Sequence, residues 1–209
     1  MSLRPILAAI TVAAVSAMAS AGDFVVTGED YSSMDVTYRG EVLDNDSQKW
    51  HAIEAAADGR VIYLTIESPG GSAYEGIRLY WTLQAYPYLV TKASSYGAYS
   101  AAAVMWLAGD VREVPKGTIV AFHAAFCWWD SEGTPDIGCD TSHFQMYLID
   151  VLHHAGYDGL AFNALLNQVQ GIFGTDGWIV IRYQGWTLWD STDDDYFFFD
   201  PSWVEREAS

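Results

Sequence analysis

Apolar residues recur along the chain in three patterns, and each change of pattern marks an element. Met34 to Leu43 alternates, with Val36, Tyr38, Gly40 and Val42 in turn, and predicts a strand. Trp50, Ile53 and Ala57 then follow helical spacing, with Asp44 or Asp46 as N-terminal cap and Gly59 as the stop. Val61–Ile66 is a continuous β-branched and apolar run, as expected of a parallel strand covered on both faces. This strand–helix–strand order predicts a right-handed parallel crossover. The turn Glu67-Ser68-Pro69-Gly70-Gly71-Ser72 breaks the run. A helix from Ser72 to Tyr86 follows, with Ala73, Ile77, Tyr80 and Trp81 on one face and Pro87 at its end. Tyr88 to Ala93 predicts a second strand. Ser100 to Leu107 predicts a helix that is small or apolar all round, hence buried. Thr118 to Phe122 predicts a third strand, delivering His123. Thr141 opens a further helix, with Phe144, Leu148, Val151 and Leu152 on one side and Gly156 closing it. Asp158 caps another helix ending near Gly171, and Trp178 to Ile181 is a late strand. Asp23 to Ser33 reads as a loose lead-in, and Tyr196 to Phe199 as an apolar patch that something must cover.

Composition narrows the picture. The chain has 209 residues, 51% hydrophobic and 15% aromatic, enough for one sizeable core. A net charge of -17 argues against nucleic acid and anionic lipid as partners, because both are held by Lys/Arg clusters. The first residues read as a targeting segment: Arg4, then the apolar run Ile6 to Val15, then Ala19-Ser20-Ala21 in small-x-small order. The expectation is a signal peptide over 1–21, cleaved after Ala21, and a single domain over 22–209 in the periplasm or secreted. An uncleaved anchor competes with this, but roughly 15 apolar residues fall short of the ~20 that a span needs. No other segment is long and apolar enough to span, so the mature chain is expected to carry no membrane span. Export also decides how Cys127 and Cys139 are read. In an oxidising compartment this pair is expected to form one disulfide, worth about 2–4 kcal/mol. Two lone cysteines and scattered histidines lack ligand spacing, so neither a metal nor a cofactor is expected.

Three features carry candidate chemistry. Ser100 stands where a loop enters a buried helix, whose unpaired N–H groups favour developing negative charge. His123, at the end of a neighbouring strand, is a candidate base for its hydroxyl. The Gly70-Gly71 turn can aim backbone N–H groups into the cleft and, with the N–H of Ala101, form an oxyanion hole. Taken singly, a helix-opening serine is usually a cap, a Pro-Gly-Gly turn only a turn, and a strand-end histidine only structural. An acid is still needed to orient the histidine.

The segments Ile66-Glu67-Ser68-Pro69-Gly70-Gly71-Ser72, Gly97-Ala98-Tyr99-Ser100-Ala101-Ala102-Ala103, Ala108-Gly109-Asp110 and Pro115-Lys116-Gly117-Thr118-Ile119-Val120-Ala121-Phe122-His123 resemble the Clp protease proteolytic-subunit family. The signal peptide peptidase A family shares the first part of this pattern. The resemblance implies an α/β ClpP/crotonase-like fold of repeated ββα units with mostly parallel buried strands, and serine endopeptidase activity on a polypeptide substrate. It places Ser100 as nucleophile, His123 as general base, and Gly71 and Ala101 as oxyanion donors. Asp176 best fits the third catalytic position, with Asp158 and Asp190 as alternatives. The exported location resembles a periplasmic branch of the family. Relatives assemble rings through the helix after the histidine strand, here Thr141 to Ala155, so a homo-oligomer is a possible assembly. This chain departs from the pattern at Glu67, where Asn is common, at Tyr99, bulkier than usual before the nucleophile, and at Ala124-Ala125, in place of Gln-Pro. Those departures sustain the alternative of a catalytically inactive binding or scaffold protein. Crotonase-type chemistry on an acyl-CoA shares the fold, but export and a serine–histidine pair argue against it. Trp128 and Trp129 either flank a groove for an apolar peptide or pack as an ordinary pair.

Overall fold

The computed structural model describes residues 21–124, 141–173, 177–182, 185–190 and 195–198. Cys127, Cys139, Trp128, Trp129 and Asp176 lie outside them. Strands β1 (Asp23–Glu29), β2 (Ser33–Arg39), β3 (Val61–Ser68), β4 (Leu89–Tyr99), β6 (Ile119–Phe122), β7 (Gly177–Arg182), β8 (Gly185–Asp190) and β9 (Asp195–Phe198) lie side by side in that order in one sheet, and β5 (Val111–Glu113) pairs with β4. The pairs β2–β3, β3–β4, β4–β5 and β4–β6 are parallel, and β1 and the β7–β8–β9 run are antiparallel. The result is an α/β fold on a mixed sheet.

The parallel centre follows from the apolar runs. Ile62, Leu64 and Ile66 of β3 are fully buried. Helices α1 (Asp46–Ala57), α2 (Ala73–Gln84) and α3 (Ala101–Trp106) supply the crossovers, and every residue of α3 is buried. The two later helices, α4 (Thr141–His154) and α5 (Gly159–Phe173), match their expected bounds. Phe144, Leu148, Val151 and Leu152 form the buried side of α4, and Asp158 Oδ1 accepts the N–H of Ala161 as a cap.

Three expectations are corrected. Asp23 to Ser33 is not a loose lead-in: most of it is β1, paired with β2. Only Phe24 and Gly28 of that strand are shielded at all, so an edge strand of this kind leaves little alternation to read. Neither Asp44 nor Asp46 caps α1. Asn45, at φ 76°, holds that position, while Asp46 turns inward to Tyr38 and Asp44 accepts the Ser72 hydroxyl at 2.9 Å. Trp81 is not on the buried face of α2; it is 41% exposed, and Leu79 and Leu83 are buried instead. Tyr196, Phe197 and Phe198 of the apolar patch lie in β9, which pairs antiparallel with β8.

Candidate active site

Strand register brings the candidate residues together. Ser68 of β3 pairs with Ala98 of β4, and Tyr99 of β4 pairs with Ala121 of β6. The residues that follow, Gly70-Gly71, Ser100 and His123, therefore emerge at the carboxyl ends of three adjacent strands. Sites in open α/β sheets form at such ends.

Ser100 occupies the sharp junction between β4 and α3. Its backbone sits at φ 55° and ψ −121°, a region costly to a residue with a Cβ. Its N–H donates to the Ala121 carbonyl at 2.8 Å, which pins the junction to β6. The hydroxyl makes no capping bond to α3. It meets His123 Nε2 at 2.7 Å instead. The hydroxyl is therefore engaged by the imidazole and not by the helix.

The imidazole is held in the tautomer that a base requires. Its Nδ1 lies 2.7 Å from the Ala124 carbonyl oxygen, which can only accept, so the proton is on Nδ1. Nε2 then presents a lone pair, and the Ser100 O–H donates to it. Trp178 of β7 covers the ring, with centroids 4.4 Å apart. Tyr99 packs edge-on against Trp178 at 6.1 Å, so the bulky residue before Ser100 lies within an aromatic wall. Burial lowers the pKa of His123 below its ordinary 6.5, against a smaller opposing pull from the Ala124 carbonyl. The base form thus persists on the acid side of neutrality. The acid limb of a kcat/KM profile is expected below pH 6.5, and a limb at or above 6.5 would contradict this environment. Stability follows the same sign. The unfolded chain takes up the proton first, so this group destabilises the fold as pH falls through 6.5 toward the lower folded value.

The diglycine turn is shaped by bonds that leave one amide over. Gly70 N–H donates to the buried Ser68 Oγ at 3.1 Å, and Gly70 O accepts from Val42 N–H at 2.7 Å. Val42 O in turn accepts from Ser72 N–H at 2.8 Å. In this parallel bridge Val42 uses the groups on either side of Gly71, so the N–H of Gly71 itself faces away from Val42. Gly70 and Gly71 sit at φ 94° and 142°. A Cβ on Gly70 would lie 2.6 Å from both Ser100 Cβ and the Tyr99 carbonyl oxygen, so the turn packs directly on the junction. The N–H of Ala101, first in α3, has no acceptor inside the helix.

Of the three acids considered, Asp158 is exposed and serves as the α5 cap. Asp190 stands in β8 opposite Gly177. Asp176 is outside the described residues. Glu67, where the pattern departs, is paired with Arg39 at 2.9 Å in register across β2 and β3. Sequence reasoning missed Ser68, Val42, Ala124 and Trp178. Ser68 is the one with a local signal, as the serine two residues before Gly70. The others act through backbone or from a distant strand. Among the described residues no cluster of His, Cys, Asp and Glu could hold a metal, and no helix is long and apolar enough to cross a membrane.

Comparison with known proteins follows this geometry. ClpP1 from Listeria monocytogenes, as a mutant, superposes with a TM-score of 0.51 at 14% identity, over 72% of this chain and 84% of that one. A mutant of the 1510-N membrane-bound stomatin-specific protease superposes at 0.50 and 12% identity, over 66% of this chain and 68% of its own. A second mutant of that protease, in complex with a substrate peptide, gives 0.51 and 14%, over 66% and 64%. At such identities the likeness establishes the fold. No curated protein sequence matches the chain. The Clp protease family, however, matches residues 8–126, which is more than half of the chain and includes the diglycine turn, Ser100 and His123. With that match and the fold in agreement, the chain belongs to the Clp protease family.

Proposed function

We propose that the protein is an exported serine endopeptidase that cleaves polypeptides through an acyl-enzyme. The observation that carries this reading is the Ser100 hydroxyl on His123 Nε2 at 2.7 Å, with Nδ1 tied to the Ala124 carbonyl. His123 takes the proton as Ser100 Oγ attacks the scissile carbonyl carbon. The N–H groups of Gly71 and Ala101 receive the oxyanion, and such a donor is worth about 3–4 kcal/mol. His123 then protonates the departing amine. Water, deprotonated by the same ring, releases the acyl group.

A fluorophosphonate probe tests the reading directly. The folded wild-type protein is expected to be labelled at Ser100, and His123→Ala to label far more slowly. A folded wild-type protein that stays unlabelled would remove the peptidase assignment. Asp176 is proposed as the third member, acting on the imidazolium. It lies two residues before Trp178, whose ring covers His123. Asp176→Asn is expected to lower turnover by orders of magnitude at unchanged Tm, and unaltered turnover would remove Asp176 from the role. Export to the periplasm or medium, with cleavage after Ala21, is supported by the leader pattern of residues 1–21. The Cys127–Cys139 disulfide is proposed on the same ground.

A further inference from the structure

We propose that Gly22 is the first residue of the processed protein, and that Tyr38, Glu41, Asp46 and Lys49 form a seat for it which braces the Gly70-Gly71 turn. The inference deepens the export reading and rests on it.

Ala21 is exposed and Gly22 is buried, so the bond between them lies at the rim of the fold. Gly22 N–H donates to the Glu41 carbonyl at 2.7 Å, and Lys49 Nζ donates to the Gly22 carbonyl. The Cα of Gly22 rests on Tyr38. A Cβ there would fall 1.9 Å from the phenol oxygen and 2.6 Å from the Glu41 carbonyl oxygen, so the seat admits only glycine. Behind it, the Tyr38 hydroxyl donates to Asp46 Oδ2 at 2.7 Å. Asp46 is 1% exposed, also accepts Leu43 N–H at 2.8 Å, and pairs with Lys49 at 2.7 Å. Two residues on, Phe24 anchors the chain against Tyr38 and Trp50, at ring distances of 4.8 and 5.4 Å. A chain end is ordered only where it is tied down, and this one is tied at Gly22 and again at Phe24.

The seat and the catalytic turn share residues. The carbonyl of Glu41 holds Gly22, while its side chain lies against Gly71, where a Cβ would come within 2.9 Å of Glu41 Cγ. The next residue, Val42, bonds to Gly70 O and Ser72 N–H. A loosened seat therefore loosens the turn that aims the Gly71 amide.

The covalent step is hydrolysis of the Ala21–Gly22 amide by a leader peptidase with small-residue specificity. The C–N bond breaks, the oxygen of water joins the Ala21 carbonyl carbon as a carboxylate, and both protons of water pass to the Gly22 nitrogen, which becomes an α-ammonium. One N–H keeps the Glu41 carbonyl. The others point toward the place of exposed Ala21, where solvent reaches the new charge.

The test uses the full chain, expressed in a host that exports it. Intact mass of the purified protein is expected to match a chain beginning at Gly22. A chain beginning elsewhere overturns Gly22 as the first residue and leaves export standing, whereas an unprocessed chain overturns the export reading as well. Bracing is read separately, by amide hydrogen exchange in Lys49→Met, a variant outside the catalytic residues. Val42 and Ser72 are expected to exchange at least tenfold faster than in wild type, with Ile179 and Ile181 unchanged. Gly22→Ala is expected to lower the rate of Ser100 labelling at least tenfold, but it can also prevent folding, so Lys49→Met decides. Unchanged exchange at Val42 and Ser72 overturns the seat even when the chain begins at Gly22.

Discussion

Ser100→Gly is expected to abolish turnover and yet to melt above Ser100→Ala. Loss of the nucleophile costs on the order of a million-fold in kcat where a serine hydrolase relies on it. The stability gain comes from the backbone. At φ 55° and ψ −121° a residue with a Cβ is strained by about 1–3 kcal/mol, and glycine is not. Glycine returns part of that as extra freedom in the unfolded chain, about 0.5–1 kcal/mol, and the hydroxyl bond to His123 is lost as well. Ser100→Ala loses the same bond, so against that variant a gain of about 1 kcal/mol remains, or roughly 2–4 °C in a domain of this size. Ser100→Ala keeps the Cβ, so it is expected to lose activity equally with no such gain. Calorimetry and a peptide-cleavage assay on the two variants separate the claims. Residual turnover in Ser100→Gly would displace Ser100 as nucleophile. Equal melting of the two variants would mean that the junction stores no strain.

Gly70→Ala should be far more damaging than Gly117→Ala, although both replace a glycine of positive φ. Gly70 lies at 94° and Gly117 at 86°, so the conformational cost to alanine is similar, about 1–2 kcal/mol. Their surroundings differ. A Cβ on Gly117 meets nothing within 4 Å, whereas one on Gly70 meets the Tyr99 carbonyl oxygen and Ser100 Cβ at 2.6 Å. Backbone cannot step aside as a flexible side chain can, so overpacking adds about 1–3 kcal/mol. Gly70→Ala is thus expected to lose roughly 2–5 kcal/mol of stability. It should also lose at least 100-fold in kcat/KM, because the shift displaces both Ser100 and the Gly71 amide. Gly117→Ala should keep full activity. Denaturant unfolding and turnover of the pair check this, and comparable losses in both would mean that the turn does not pack on the junction.

These expectations show where the sequence sufficed. Val61–Ile66, the diglycine turn, the helix after Ser100 and the strand before His123 were legible because each is specified within its own few residues. An apolar run marks a buried strand, glycine marks a positive φ, and a small-residue stretch marks a helix that neighbours approach closely. The alternation that failed at Asp23–Glu29 failed for a physical reason: an edge strand with one buried apolar side chain, Phe24, has too little contrast between its faces. Trp81 was misplaced because helical spacing names a stripe but not its centre, and Leu79 and Leu83 compete for the same core.

The sequence by itself determined the order of the main strands and helices from β2 to β7, the family pattern, and the candidates Ser100, His123 and the diglycine turn. Only the tertiary structure decided that Ser100 bonds to His123 rather than capping its helix, and that the Ala124 carbonyl sets the tautomer. The same holds for Val42, which takes up the groups flanking Gly71 and turns that amide away from itself. A turn or a helix is written in local torsional preference, whereas the direction of a hydroxyl, a ring or an amide is set by strands paired from distant parts of the chain, and no local pattern carries their register.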